Sequence, residues 1–207
     1  MGPLISRRLF VAAAGLLSSS WAASGARSAS RGAPHIVIFT VHGMIELAVN
    51  LDQAPLTAGN FLEYVDRRLF DEGQFYRSVA PDNDVNPVKI SVIQGGVVDD
   101  AKALPPIPHE STRQTGLRHL DGTVSAARGA LGTGTAGAFF ICIGDQPQLD
   151  FGGRRNPDGQ GFAAFGRVVG GMDVVHEIWT QKTRGSDGSI GSQRLATPVA
   201  IATMRRK

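Results

Sequence analysis

The sequence predicts a mainly β domain, a barrel of short strands capped by two helices. Three observations carry that expectation. Eight short runs have β-type composition, separated by turn-forming residues. Only two segments place apolar residues at helical spacing. Glycine is abundant, 26 of 207 residues, which suits a chain of strands and turns better than a helical bundle. The length is that of one domain with a proper core.

The elements follow in order. His35–Thr40 and Met44–Val49 are β-type runs with His42-Gly43 between them, a hairpin signal. In the second run Ile45, Leu47 and Val49 share a face. After the Ala54-Pro55 break, Leu56–Asp66 carries Phe61, Leu62 and Val65 at helical spacing, with Thr57 as the expected N-cap. Gln74–Val79 is a strand and Pro81–Pro87 a polar loop. Ile90–Gln94 is the next strand, closed by Gly95-Gly96. Leu104–Leu120, with three prolines, reads as mostly irregular. Strands are expected at Thr123–Arg128, Ala138–Ile143, Phe162–Val169 and Pro198–Met204, with polar, glycine-rich loops at 129–137 and 145–161. The second helix is Met172–Trp179, with Met172, Val175 and Trp179 on one face. Many short strands plus two helices in one unit of this size point to a capped barrel. No internal repeat is visible.

The first residues read as an address. Arg7-Arg8 precede a short apolar run, Leu9–Trp21, and small residues follow, so residues 1–26 are expected to be an export signal and 27–34 a linker to a domain at 35–207. Ser6-Arg7-Arg8-Leu9-Phe10 resembles the twin-arginine signal. The alternative is an ordinary secretory signal with two adjacent arginines. A periplasmic location is the expectation. Arg7, Arg8 and Arg27 account for the whole formal net charge of +3. The rest of the chain is neutral and lacks the footprint of a nucleic-acid binder.

Several motifs invite chemistry. Cys142, the only cysteine, lies in the apolar run 138–143, which marks a buried, inert thiol and excludes an intrachain disulfide. The five histidines never fall at metal-ligand spacing. Gly132-Thr133-Gly134-Thr135-Ala136-Gly137 matches G-x-G-x-x-G but runs into a strand, where a dinucleotide fingerprint must open a helix. Arg77 interrupts an apolar strand, and alternation places it on one face with Phe75 and Val79. It either pairs with an acid or faces a cleft.

Eight local motifs occur in a fixed order. They are Ala54–Leu62 (A-P-x-T-x-x-N-F), Phe75–Val79 (near F-[HY]-R-[VI]), Ile93–Gly96 (I-Q-G-G), Gly122–Arg128 (near G-T-[VI]-S-M-A-R), Phe139–Ile141 (F-F-I), Leu149-Asp150, Phe165–Val168 and Gly171–Val175. Together they resemble the cyclophilin family of peptidyl-prolyl cis-trans isomerases over roughly residues 36–204. The resemblance implies a closed eight-stranded antiparallel barrel with a helix over each end. It implies Arg77 as the catalytic arginine and Gln94 as its hydrogen-bond partner. It assigns the proline pocket to Val92, Phe139, Phe140 and Leu149, with Phe162 at its edge and Ala127 beside it. It implies proline-containing polypeptides as partners and assistance to the folding of exported proteins. No cofactor or metal is expected, no nucleic acid, and no membrane insertion once the leader is removed; the expected form is a monomer.

The chain also departs from the family pattern. Ala138 stands where Gln is usual, Phe162 where His is usual, and Gln148 where drug-sensitive members carry Trp. Ser91 and Val92 replace a larger pair, Ala126 replaces Met, and Asp82–Lys89 resembles a short insertion beside the site. These changes imply a shallower pocket and a lost donor. They keep open a second possibility: a cyclophilin-fold peptide-binding module with weak or no catalysis.

Overall fold

The computed structural model describes residues 32–185 and 190–207; the expected leader, 1–26, and the first part of the expected linker lie outside the described residues. The strands are β1 (His35–Thr40), β2 (Gly43–Val49), β3 (Gln74–Val79), β4 (Val92–Gly96), β5 (Thr123–Ala126), β6 (Ala138–Cys142), β7 (Ala163–Gly170) and β8 (Arg194–Arg206). They close into an antiparallel barrel in the order β1-β2-β7-β5-β6-β4-β3-β8. The seam is β1 against β8, where Ile36 faces Arg206 and Ile38 faces Met204. Closure leaves no unpaired edge.

Alternation fills the interior. Ile36, Ile38, Ile45, Leu47, Phe75, Ile93, Phe139, Ile141 and Phe165 are fully buried in one core. Helix α1 (Pro55–Asp66) lies against β7 and β8 and supplies Phe61, whose ring meets Phe70, Phe139 and Phe165 at centroid distances of 4.8–5.7 Å. Helix α3 (Met172–Trp179) packs against β2, β3 and β4 through Val174, Val175 and Ile178. Among the described residues no helix is long and apolar enough to cross a membrane.

Four local expectations need correction. Thr57 does not cap α1. The helix starts at Pro55, which suits the first turn because it has no N–H to satisfy. The free amides of Leu56 and Thr57 donate instead to the buried Glu110 carboxylate (3.1 and 2.6 Å), and the Thr57 hydroxyl donates to it as well (2.7 Å). The stretch 104–120 is not wholly irregular. It holds a one-turn helix α2 (Thr112–Thr115), with the Gln114 side chain accepting from Ser111 N (2.8 Å) and Gly116 in the left-handed region (φ 73°). Strand β8 begins at Arg194, not Pro198. It must be long because Ile201–Arg206 pair β1 while Arg194–Ala200 run along β3, and Pro198 falls in the stretch where that ladder is irregular.

The fourth correction matters for the site. Arg77 does not share a face with Phe75. Across β3 and β4, Phe75 pairs Gly95 and Arg77 pairs Gln94, so two steps on β3 match one on β4. That bulge at Tyr76 reverses the alternation. Phe75 points into the core, whereas Arg77 and Val79 point the opposite way.

Candidate active site

The register on the far side of that bulge assembles a site from three strands. Arg77 on β3 faces Gln94 on β4, which faces Phe140 on β6. One step along, Val79 faces Val92, which faces Cys142. Paired residues project to the same side of a sheet. The result is a row of polar groups bordering an apolar patch of Val79, Ile90, Val92, Phe140, Cys142 and Leu149, against which Ala127 and Phe162 pack. Leu149 ends the turn Pro147–Leu149, and its carbonyl accepts from Phe162 N (2.9 Å), which ties the two pocket residues together.

Phe139 does not belong to this patch. It neighbours Phe140 on one strand, so it must point the other way. It is fully buried in the barrel core, edge-on to Phe61, Phe70 and Phe75. The other expected pocket residues, Val92, Phe140, Leu149, Phe162 and Ala127, do come together. Little of the floor meets solvent: Phe140 is 5% exposed and Val92 3%. The Phe162 ring stands edge-on to Phe140 at 5.3 Å and covers it. Beneath, the His119 ring stacks on Phe140 at 5.9 Å, with Nδ1 donating to Asp150 (2.7 Å) and Nε2 bonded to the Ser125 hydroxyl (3.0 Å). Cys142 is buried in the same patch, and burial pushes its thiol pKa well up, which leaves it protonated and unreactive.

Arg77 is held by two amides. Its Nη1 donates to Gln94 Oε1 (2.8 Å), and its Nε and Nη2 donate to Gln193 Oε1 (2.9 and 2.5 Å). Gln94 in turn donates to the Tyr76 hydroxyl (3.0 Å). Among the described residues Arg77 makes no ion pair. The nearby carboxylate, Asp84, is taken by Arg155 at 2.6 Å. Of the two roles left open by the sequence, the structural ion pair is not seen among the described residues; the guanidinium lies half-buried beside the apolar patch. Burial, and then the charge of Arg155, lower the Arg77 pKa, yet a guanidinium stays cationic at any physiological pH. Among the described residues, two of its five N–H groups have no acceptor.

Beside the patch lies a cleft of about 460 Å³, lined by Gln94, Ala127, Arg128, Ala138 and the loop Thr133–Gly137, with Tyr64 at its back. The G-x-G-x-x-G motif finds its reason here. The Tyr64 ring passes so close to Gly137 that a Cβ there would collide with it, and the Tyr64 hydroxyl bonds Thr135 (2.9 Å) and accepts from Leu104 N (2.6 Å). The motif shapes a wall. Among the described residues no group of three His, Cys, Asp or Glu side chains could hold a metal.

Gln193, Asp84 and Arg155 escaped the sequence reading. Gln193 lies 116 positions from Arg77. The one available signal was Asp82–Lys89 itself, a polar insertion next to the site.

Comparison with known proteins now decides the family. The profile of the cyclophilin-type peptidyl-prolyl cis-trans isomerases matches residues 35–206. The chain belongs to the cyclophilin family. This cyclophilin is 33% identical over 177 residues to peptidyl-prolyl cis-trans isomerase A of Dickeya dadantii, covering 84% of this chain and 85% of that one. It is 35% identical over 153 residues to the cyp18 isomerase of Streptomyces antibioticus, covering 72% and 85%. A Cryptosporidium parvum cyclophilin-type isomerase, crystallised in the presence of the dipeptide Ala-Pro, shares the fold with a TM-score of 0.64 at 17% identity, over 84% of this chain and 98% of that one. The closed barrel of this cyclophilin is thus the family's barrel.

Proposed function

We propose that this cyclophilin isomerises X-Pro bonds with Arg77 as its catalytic group, acting on exported polypeptides. The observation that carries the proposal is a half-buried guanidinium with no ion pair among the described residues, fixed by two amides at the rim of an apolar patch. Rotation about the amide faces a barrier of about 18–20 kcal/mol from resonance. Catalysis requires tighter binding of the twisted amide than of either planar form. In the twisted form the proline nitrogen regains its lone pair. A free N–H of Arg77 can donate to that nitrogen or to a neighbouring carbonyl, and needs no proton transfer. The patch of Phe140, Val92 and Leu149, with Phe162 at its edge, holds the pyrrolidine ring while the preceding carbonyl turns. The cleft beside Gln94 and Ala127 receives the residues before the proline.

Arg77→Ala is expected to lower kcat/KM for an X-Pro peptide by about a hundredfold, the worth of one charged donor to a transition state. Exchange spectroscopy measures this, with a thermal melt alongside. Turnover at the wild-type rate would sink the mechanism. Ala138 and the covered floor favour the second reading, a peptide binder with residual catalysis. Peptide binding without turnover in the same experiment selects it. The export part rests on residues 6–10; cell fractionation that recovers the mature chain in the cytoplasm removes it.

A further inference from the structure

The insertion loop reaches Arg77 through one side chain, and we infer that Gln193 is a positioning residue for the catalytic arginine, set in orientation by Asp84 and Arg155. This rests on the reading of Arg77 as catalytic.

Gln193 is fully buried, and its amide is spoken for at both ends. Its Oε1 accepts from Arg77 Nε and Nη2 (2.9 and 2.5 Å). Its Nε2 donates to the Asn83 carbonyl (3.1 Å) and approaches Asp84 Oδ1 (3.4 Å). An amide can be turned end for end, and the wrong orientation would present N–H groups to a guanidinium that has only N–H groups of its own. Two acceptors on the loop side forbid that flip. They force the oxygen toward Arg77.

Asp84 can do this without discharging Arg77. Its side chain is fully buried. Arg155 binds it through both Nη atoms (2.6 and 3.1 Å) and also donates to the Val88 carbonyl (2.6 Å). The amides of Asn86 and Ile90 donate to the same carboxylate (both 3.1 Å), and Lys89 Nζ donates to the Asp84 backbone carbonyl. Burial alone would raise the Asp84 pKa, but these donors and the Arg155 charge outweigh it, and the carboxyl stays ionised. The anion is offset by Arg155, whose charge acts on Arg77 more strongly than that of Asp84, so the pair passes an orientation and no net negative charge to Arg77. A carboxylate placed directly on Arg77 would hold it too, but would claim the N–H groups and the positive charge that the twisted amide needs.

The test uses the full chain with ¹⁵N-labelled arginine, in the wild type, Arg77→Ala, Gln193→Ala and Gln193→Met. The methionine variant keeps the buried volume, so one variant remains foldable if the alanine cavity is too costly. Arg77 acts in the transition state, whereas the apolar patch sets ground-state affinity. Both Gln193 variants are therefore expected to lose about tenfold in kcat with KM within twofold of wild type. The Arg77 Nε–H signal, identified by its loss in Arg77→Ala, is expected to shift and exchange faster with water. A purely structural glutamine would lower the melting temperature and leave both readouts alone. Wild-type kcat or an unmoved Arg77 signal in folded Gln193→Met overturns the inference. If instead Arg77→Ala turns over like wild type, the reading of Arg77 itself has failed.

Discussion

At the scale of single residues, the site is a set of neighbours with opposite duties. Phe139 and Phe140 differ by one position, and one builds the barrel core while the other lies in the separate apolar patch with Val92 and Leu149. Ala138 stands on the pocket side of the same strand and lines the open cleft. Where the family usually presents a Gln donor, this chain presents a methyl group with space in front of it. Ala138→Gln is therefore expected to fit and to raise kcat/KM about tenfold, the worth of one hydrogen bond of about 1–3 kcal/mol. A rate unchanged or lowered, with a normal melt, would show that this donor has no part here. Much of this was legible in the sequence. Arg77 stood out as a charge in an apolar strand, and the motif I-Q-G-G marked Gln94 as its partner. Gln193 was not legible, because a buried glutamine in a turn has no periodicity and its partner is distant in the chain. Both phenylalanines were expected in the pocket, and strand pairing puts Phe139 in the barrel core instead.

At the scale of elements, bulges and caps carry the information that patterning could not. The bulge at Tyr76 turns Arg77 out of the core, and nothing in the local composition announces it. The eight strands and both longer helices were predictable, because each has a period. Strand ends shifted by a few residues where pairing, not propensity, sets the boundary, as at Arg194. The start of α1 was misread for a related reason. Thr57 has the composition of a cap, but the helix N-terminus is satisfied from outside by Glu110, just before α2. That carboxylate accepts three hydrogen bonds and also faces the positive end of the helix. Glu110→Ala is expected to destabilise the fold by about 2 kcal/mol, lowering the melting temperature by about 4–8 °C, with isomerase activity per folded molecule preserved. A melt within a degree of wild type would show that water replaces the carboxylate at no cost.

At the scale of the whole molecule, arginine–aspartate pairs tie distant segments together: Arg205 to Asp71, Arg206 to Asp66, Arg128 to Asp158 and Arg155 to Asp84. The hydrogen bonds and charge of each partner hold these carboxyls below the ordinary carboxylate range, Asp158 at about 2. A group whose pKa falls on folding stabilises the native state above its unfolded value, near 3.9 for Asp, and ceases to do so as pH drops through its native value. Thermal melts are therefore expected to show these pairs contributing in full above about pH 5 and failing between about pH 4 and pH 2. A melting temperature constant from pH 5 to pH 2 would refute that role. The barrel's seam has a different consequence, one of timing. Its two strands are the first and last of the domain, and Ile36 meets Arg206 across nearly the full length of that domain. Contacts so remote in sequence form late. On the ribosome β1 must wait, unpaired along one edge, until β8 has emerged. A prolyl isomerase thus cannot begin to close its own barrel until β8 is free to reach β1.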